Sequence, residues 1–265
     1  MKNYRLFASI LVLCASLSCT RNEIELRLAH YNVGVFGKTE ASSIDVIADM
    51  MKEIEADVVS LNELDSCTTR TGLVDQLAVM SEKMGDWGSH YASAMPYRGG
   101  AYGIGVTFNP KFKVVRQEKV PLPKFDGAEP RTLAVVEFED FIFATCHLDY
   151  TTEASQLGQV AVINEYADSV YREAEKPFFL CGDFNCEPGS APISLMQQTW
   201  SLISATDLTY PADNPRKCID YIFVRPGKSQ VKVRESKVYT GFATGDVKTA
   251  SDHLPVFADV VIVRK

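Results

Sequence analysis

Apolar positions along this chain switch repeatedly between a two-residue and a helical period. From Glu23 the alternation places Ile24, Leu26, Leu28 and His30 on one face of a strand that ends at Asn32. Ser42 and Ser43 then precede Ile44, Ile47, Met50, Met51 and Ile54, whose spacing predicts a capped amphipathic helix. Residues 57–63 read as a second strand ending in Glu63, and 73–84 as a second helical stretch. Strand-like runs follow at 102–108, 112–118, 131–138 and 140–147, with Asn109-Pro110 marking a turn. Residues 151–175 predict a long amphipathic helix with Val160, Ile163, Ala167 and Val170 on one side. Further strands are expected at 177–182, 219–224, 231–239 and 254–263.

Helices lie between strands, yet the 102–147 region leaves no room for crossover helices, so its strands must pair as hairpins. The pattern predicts a mixed α/β (α+β) protein: two packed, largely antiparallel sheets under outer helices. A chain of 265 residues, 46% hydrophobic, can bury a large core. No repeat or long Gly/Ser-rich or Pro-rich linker interrupts it, so a single domain over 20–265 is expected.

The first nineteen residues are of a different kind. Lys2 and Arg5 precede the apolar run from Leu6 to Leu13, and small residues follow up to Ser18-Cys19. That order reads as a signal peptide, and the apolar run is too short to span a bilayer. Cys19 resembles the lipidated cysteine of bacterial lipoproteins. The expected location is therefore the bacterial periplasm or cell envelope, with a membrane tether through acylated Cys19; an ordinary cleaved signal is the alternative.

Charge and cysteines narrow the picture further. The chain has 27 basic against 34 acidic residues, a net charge of −7, and loses Lys2 and Arg5 with its leader. Proteins that neutralise phosphate backbones usually carry a basic face, so nucleic acid is possible as a partner but not favoured. Cys146 and Cys181 lie inside apolar runs and read as core residues. Cys186 and Cys218 share the neighbourhood of Asp183 and Asp220, which suggests a disulfide between them. No CxxC or CxH spacing offers a zinc site.

Polar groups recur where strands stop or start. Asn32, Glu63, His147 and the pair Asp183 and Asn185 finish four predicted strands; Asp220 and Asp252-His253 open two others. Strand ends and beginnings of antiparallel sheets meet on one rim, so these groups can converge from across the whole chain. Each has a bland reading as turn or strand-end chemistry, but six such coincidences weaken it.

The ordered set Tyr31-Asn32-Val33, Leu61-Asn62-Glu63, Cys146-His147-Leu148-Asp149, Gly182-Asp183-Phe184-Asn185, Ile219-Asp220-Tyr221-Ile222 and Ser251-Asp252-His253-Leu254-Pro255 resembles the endonuclease/exonuclease/phosphatase superfamily of DNase-like metal-dependent phosphoesterases. The resemblance implies a four-layer sandwich and hydrolysis of a phosphoester by in-line attack of water. It implies Mg²⁺ as cofactor, with Mn²⁺ as a substitute, held by Glu63 with help from Asp252 and Asn32. Asp183 would orient or deprotonate the water, and Asn185 and His147 would donate hydrogen bonds to the phosphate. His253, held by Asp220, would stabilise developing charge or act as general base. Asn32 and Arg131 would lie on the substrate side. The segment from Tyr97 to Gly105 resembles the family's Gly-rich strand entry, with Ile104 where an asparagine is usual; a glycine-rich turn feeding a strand explains it equally well.

Small-molecule, sugar, inositol or lipid-headgroup phosphoesters suit an acidic, membrane-tethered and monomeric enzyme. A secreted non-specific nuclease is the alternative within the same chemistry. A catalytically inactive surface binding protein on the same fold is the alternative outside it. Residues 205–215 form a candidate specificity loop.

Overall fold

Two six-stranded sheets pack face to face in the computed structural model, which describes residues 23–171 and 175–264. The predicted leader at 1–19 lies outside the described residues. The first sheet is built from β1 (Glu23–Asn32), β2 (Val58–Ser66), β3 (Gly88–Tyr97), β4 (Gly100–Phe108), β11 (Gln230–Val238) and β12 (Val256–Val263), in the order β11-β12-β1-β2-β4-β3. The second contains β5 (Val114–Leu122), β6 (Arg131–Phe138), β7 (Ile142–His147), β8 (Phe178–Asp183), β9 (Ser201–Leu202) and β10 (Asp220–Arg225), in the order β5-β6-β7-β8-β10-β9.

Each sheet has one parallel pair. Helix α1 (Ile44–Glu53) carries the chain from β1 to β2, and α3 (Glu153–Tyr171) carries it from β7 to β8. A parallel step needs such a crossover, whereas the other described pairs are antiparallel. Helices α2 (Gln76–Lys83) and α5 (Val247–Ala250) pack in the same apolar layer as α1, and α4 (Ala191–Met196) in that of α3.

Three apolar layers hold the sandwich together. Leu26, Leu28 and Val58 meet Phe143, Phe179 and Ile222 between the sheets. The opposite face of β1, at Ala29 and Tyr31, packs under Ile47, Met50 and Met51 of α1. Leu180 and Tyr221 pack under Val160 and Ile163 of α3. The two-residue period of a strand thus feeds a different layer from each face.

The structure departs from the sequence expectations in several places. Residues 88–97 form a strand that the pattern did not reveal, because mostly half-buried side chains blur its alternation. It joins β4 through Arg98-Gly99, both at positive φ (44° and 83°), in a two-residue hairpin. Ile104 is buried in β4, so that segment is a glycine-rich turn feeding a strand. Strand β2 does not stop at Glu63 but continues to Ser66. Val170 is 41% exposed; the buried face of α3 instead includes Ser155 and Gln159 beside Val160, Ile163 and Ala167. Ser43 occupies the N-cap of α1 without a capping hydrogen bond from its hydroxyl. Cys186 and Cys218 are buried free thiols rather than a disulfide, and their backbone carbonyls both accept from the Tyr221 hydroxyl, at 2.8 and 2.7 Å.

Candidate active site

Register brings the polar groups to one rim. In the second sheet His147 stands opposite Asp183, and Asp183 opposite Asp220. In the first sheet Asn32 stands opposite Asn62. The two rims meet through Asn62, whose Oδ1 accepts from the Asp183 backbone N–H at 2.9 Å and whose Nδ2 donates to Thr145 at 3.0 Å. Gly182 makes the approach of β8 to β7 possible, since a Cβ there would lie 2.1 Å from the Cys146 carbonyl oxygen.

Glu63 reaches the rim by a different device. The β2–β4 register shifts between Leu61 and Leu64, and Glu63 adopts a left-handed conformation at φ 58°. A bulge of this kind inserts a residue and re-aims its side chain. Here the carboxylate turns toward Asn32, whose Nδ2 donates to Glu63 at 3.1 Å and to Asp183 at 3.0 Å. The Asn32 Oδ1 is engaged by the Gly34 N–H at 3.1 Å, which fixes the amide orientation. Asn32 therefore presents a donor to the carboxylates, with its oxygen engaged by the Gly34 N–H.

Asp183 is the hub. Its Oδ1 accepts from the Asn185 N–H at 2.9 Å, and its Oδ2 faces His147 Nε2 at 3.5 Å and His253 Nε2 at 3.6 Å. Burial pushes its carboxyl up, against the pull of His253, to about 6. Asp220 is also fully buried but lies between two imidazoles, His253 Nδ1 at 3.0 Å and His30 Nε2 at 2.9 Å. Burial alone would raise it, yet these partners hold it well below the usual carboxylate range. For His253 burial works downward, and Asp220 followed by Asp183 overcomes it, raising the imidazole to about 9.

His147 behaves oppositely. Burial, then the neighbouring Arg131, lowers it well below the usual imidazole range, so it is neutral. Arg131 Nη1 lies 3.3 Å from His147 Nδ1, and a guanidinium can only donate. The His147 proton is thereby assigned to Nε2, the atom facing Asp183. Arg131 itself is 4% exposed, pairs with Glu129 at 3.4 Å, and leaves its buried Nε without a partner.

Asn185 spends one amide proton on the Leu148 carbonyl at 3.1 Å. Asp149, from the same motif as His147, serves the fold: its carboxylate accepts from the Ala128, Thr151 and Thr152 N–H groups and braces the turn into α3. Tyr210, within the expected specificity loop, lays its ring against His253 with centroids 4.8 Å apart.

These groups open into a cleft of about 500 Å³. Glu63, Asp183, Asp252 and His253 line it together with Tyr97, Tyr102 and Tyr150. Arg70 adds a guanidinium stacked 4.5 Å from the Tyr97 ring centroid and anchored on Asp65.

Two sets of residues have the donors to hold a metal. Ligand atoms of Asp183, Asp220 and His253 lie within 4.8 Å of one another. His253 and Asp220 are already spent on each other, however, and a cationic imidazole has no lone pair to give. Glu63 and Asp252 fit better. Both carboxylates contact one cation, the Lys38 ammonium, and Asp252 Oδ1 is buried without a hydrogen-bond partner. Paired carboxylate oxygens suit a hard divalent ion.

Asn32, Glu63, Arg131, His147, Asp183, Asn185, Asp220, Asp252 and His253 thus border this one region. Lys38, His30 and Asn62 were missed. His30 carried a faint signal, a polar side chain in the apolar register of β1; Lys38 lies in a loop and carried none.

The sequence model described as the Endonuclease/Exonuclease/phosphatase family matches residues 29–253. No curated protein matches. Among solved structures, a mannosyl-6-phosphatase of Bacteroides thetaiotaomicron superposes with a TM-score of 0.74 at 18% identity, over 89% of this chain and 99% of that one. An endonuclease/exonuclease/phosphatase of Bacteroides vulgatus gives 0.75 at 18% identity, over 89% and 98%. The human Nocturnin catalytic domain gives 0.70 at 17% identity, over 92% and 97%.

Proposed function

Because this chain belongs to the endonuclease/exonuclease/phosphatase family of metal-dependent phosphoesterases, we propose that it is an exported, Mg²⁺-dependent hydrolase of small phosphoesters, with sugar phosphates the leading class. The observation that carries this reading is the meeting of Glu63, Asp252, Asp183, His147 and His253 in the lining of one cleft.

In-line attack of water on a phosphoester builds negative charge on the phosphoryl oxygens and the leaving group. Glu63 and Asp252 would hold the divalent ion, which when bound neutralises part of that charge. Asp183, raised to about 6, is ionised at neutral pH yet basic enough to orient the water and take its proton. Its neighbours Asn32 and Asn185 keep the carboxylate in place. His253, cationic below about 9 and braced by Asp220, supplies a charged donor to the phosphoryl group. The Nε2–H of neutral His147 supplies a second. Arg131, whose Nε is unpaired, and the remaining amide proton of Asn185 complete the substrate side.

Cleft size and charge support a small substrate. A volume of about 500 Å³ with tyrosines in its lining suits a monosaccharide-sized leaving group, and the chain is acidic overall. One structural relative is described as a mannosyl-6-phosphatase, which agrees with that class. Export rests on the leader and tethering on acylation of Cys19, which the mass of the mature N-terminal peptide would reveal.

Hexose 6-phosphates, inositol phosphates, bis-p-nitrophenyl phosphate and supercoiled plasmid should be assayed side by side, with Mg²⁺ and with chelator. Turnover of a small phosphoester that chelator abolishes is expected. Plasmid nicking faster than any small-molecule turnover would make it a nuclease, and no turnover at all would make it a binding protein.

A further inference from the structure

The ammonium of Lys38 lies 3.0 Å from Glu63 Oε2 and 3.0 Å from Asp252 Oδ2. It thus sits between the two carboxylates that the proposed function gives to the metal. Opposite charges at this range hold Lys38 protonated against the downward effect of its burial.

The chain is shaped to put it there. Gly34, Val35 and Phe36 follow β1 at φ 51°, 53° and 53°. Three left-handed residues in a row are costly, most of all at β-branched Val35. The turn is clamped by Gln76 Nε2 on the Val35 carbonyl at 2.6 Å and by the Ser43 N–H on the Phe36 carbonyl at 2.9 Å. The lysine stem runs directly over Gly34, where a Cβ would lie 2.7 Å from Lys38 Cδ and 2.9 Å from Cγ. A strained, braced turn with a glycine beneath the stem is a specific arrangement for one side chain.

We propose that Lys38 is a resident cation: it holds the Glu63–Asp252 pair together in the metal-free protein and competes with the divalent ion for that pair. An ion bound between the two carboxylates takes the space that Nζ fills, so metal entry requires Lys38 to leave. Lys38 therefore sets metal affinity, keeping the site assembled without metal at the cost of weaker binding. This inference rests on Glu63 and Asp252 being the metal ligands.

Calorimetric titration of Mg²⁺ into substrate-free wild type and Lys38→Met tests it, alongside thermal melts in chelator and in saturating Mg²⁺. Methionine keeps much of the stem over Gly34 and removes the charge. The variant is expected to bind Mg²⁺ about 10-fold more tightly, a coupling of ordinary size between two mutually exclusive ligands. It should melt below wild type in chelator, where two carboxylates face each other unscreened, and level with it in Mg²⁺. Equal or weaker Mg²⁺ binding by the variant would overturn the competition while leaving the metal reading intact. A melting deficit that persists in saturating Mg²⁺ would show a packing role only, and would also overturn it. Turnover that survives chelator, with Mg²⁺ bound by neither protein, would remove the metal reading and this proposal together.

Discussion

Asp183 and His253 are both shifted upward within one contact, for different reasons. Burial makes the acid weaker, and two carboxylates make the imidazole more basic. If Asp183 is the base and His253 the cationic donor, activity should rise as pH increases through about 6 and fall as it passes about 9. The rising limb comes from Asp183 losing its proton, the falling limb from His253 losing its own. A pH–rate profile of kcat/KM checks both limbs; a flat profile across that window would refute the assignment. The His253 cation also stabilises the fold, fully so below its ordinary value of 6.5, and that share disappears as pH climbs through about 9. Asp183→Ala and His253→Ala should each lose more than about 100-fold in rate, as expected for removal of a proton-transfer group or a charged donor. Circular dichroism should show both variants folded, and near-normal turnover in either would mean that another group does its work.

Strands, turns and helices deliver these groups by distinct routes. His147, Asp183 and Asp220 arrive by register on three neighbouring strands, Glu63 by a bulge, and Lys38 by a left-handed turn. The β7–β8 pair is exacting, because the strands touch where Gly182 has no side chain. Gly182→Ala would push a methyl against the Cys146 carbonyl and the Cys146 Sγ. The expected cost is about 2–3 kcal/mol, an overpacking penalty, with activity reduced as Asp183 shifts. Urea unfolding gives the first value directly, and an unchanged midpoint would show that the two strands can part without loss. The motif acids divide along the same lines: Asp149 braces the turn before α3, whereas Asp183 and Asp252 face the cleft.

The sandwich as a whole explains how positions from Asn32 to His253 can share one site. Two sheets, each with one parallel pair, stack so that their rims close over the same cleft. Much of this was legible beforehand. Alternation along β1 and apolar runs along β6, β7, β8 and β12 announced strands because one or both faces meet an apolar layer, and polar residues at the ends of those runs announced the site. The blind spots have a common cause, in that β3 is too evenly half-buried to alternate and the bulge at Glu63 is a matter of pairing with β4. Local sequence thus determined the strands, the layers and the kinds of groups on the rim, since periodicity and residue chemistry are properties of neighbours along the chain. Only the tertiary structure decided that Lys38 lies between Glu63 and Asp252, that His30 backs Asp220, and that Asn32 turns its nitrogen to the carboxylates. Those contacts depend on which distant atoms come within hydrogen-bond reach, and no stretch of sequence contains that distance.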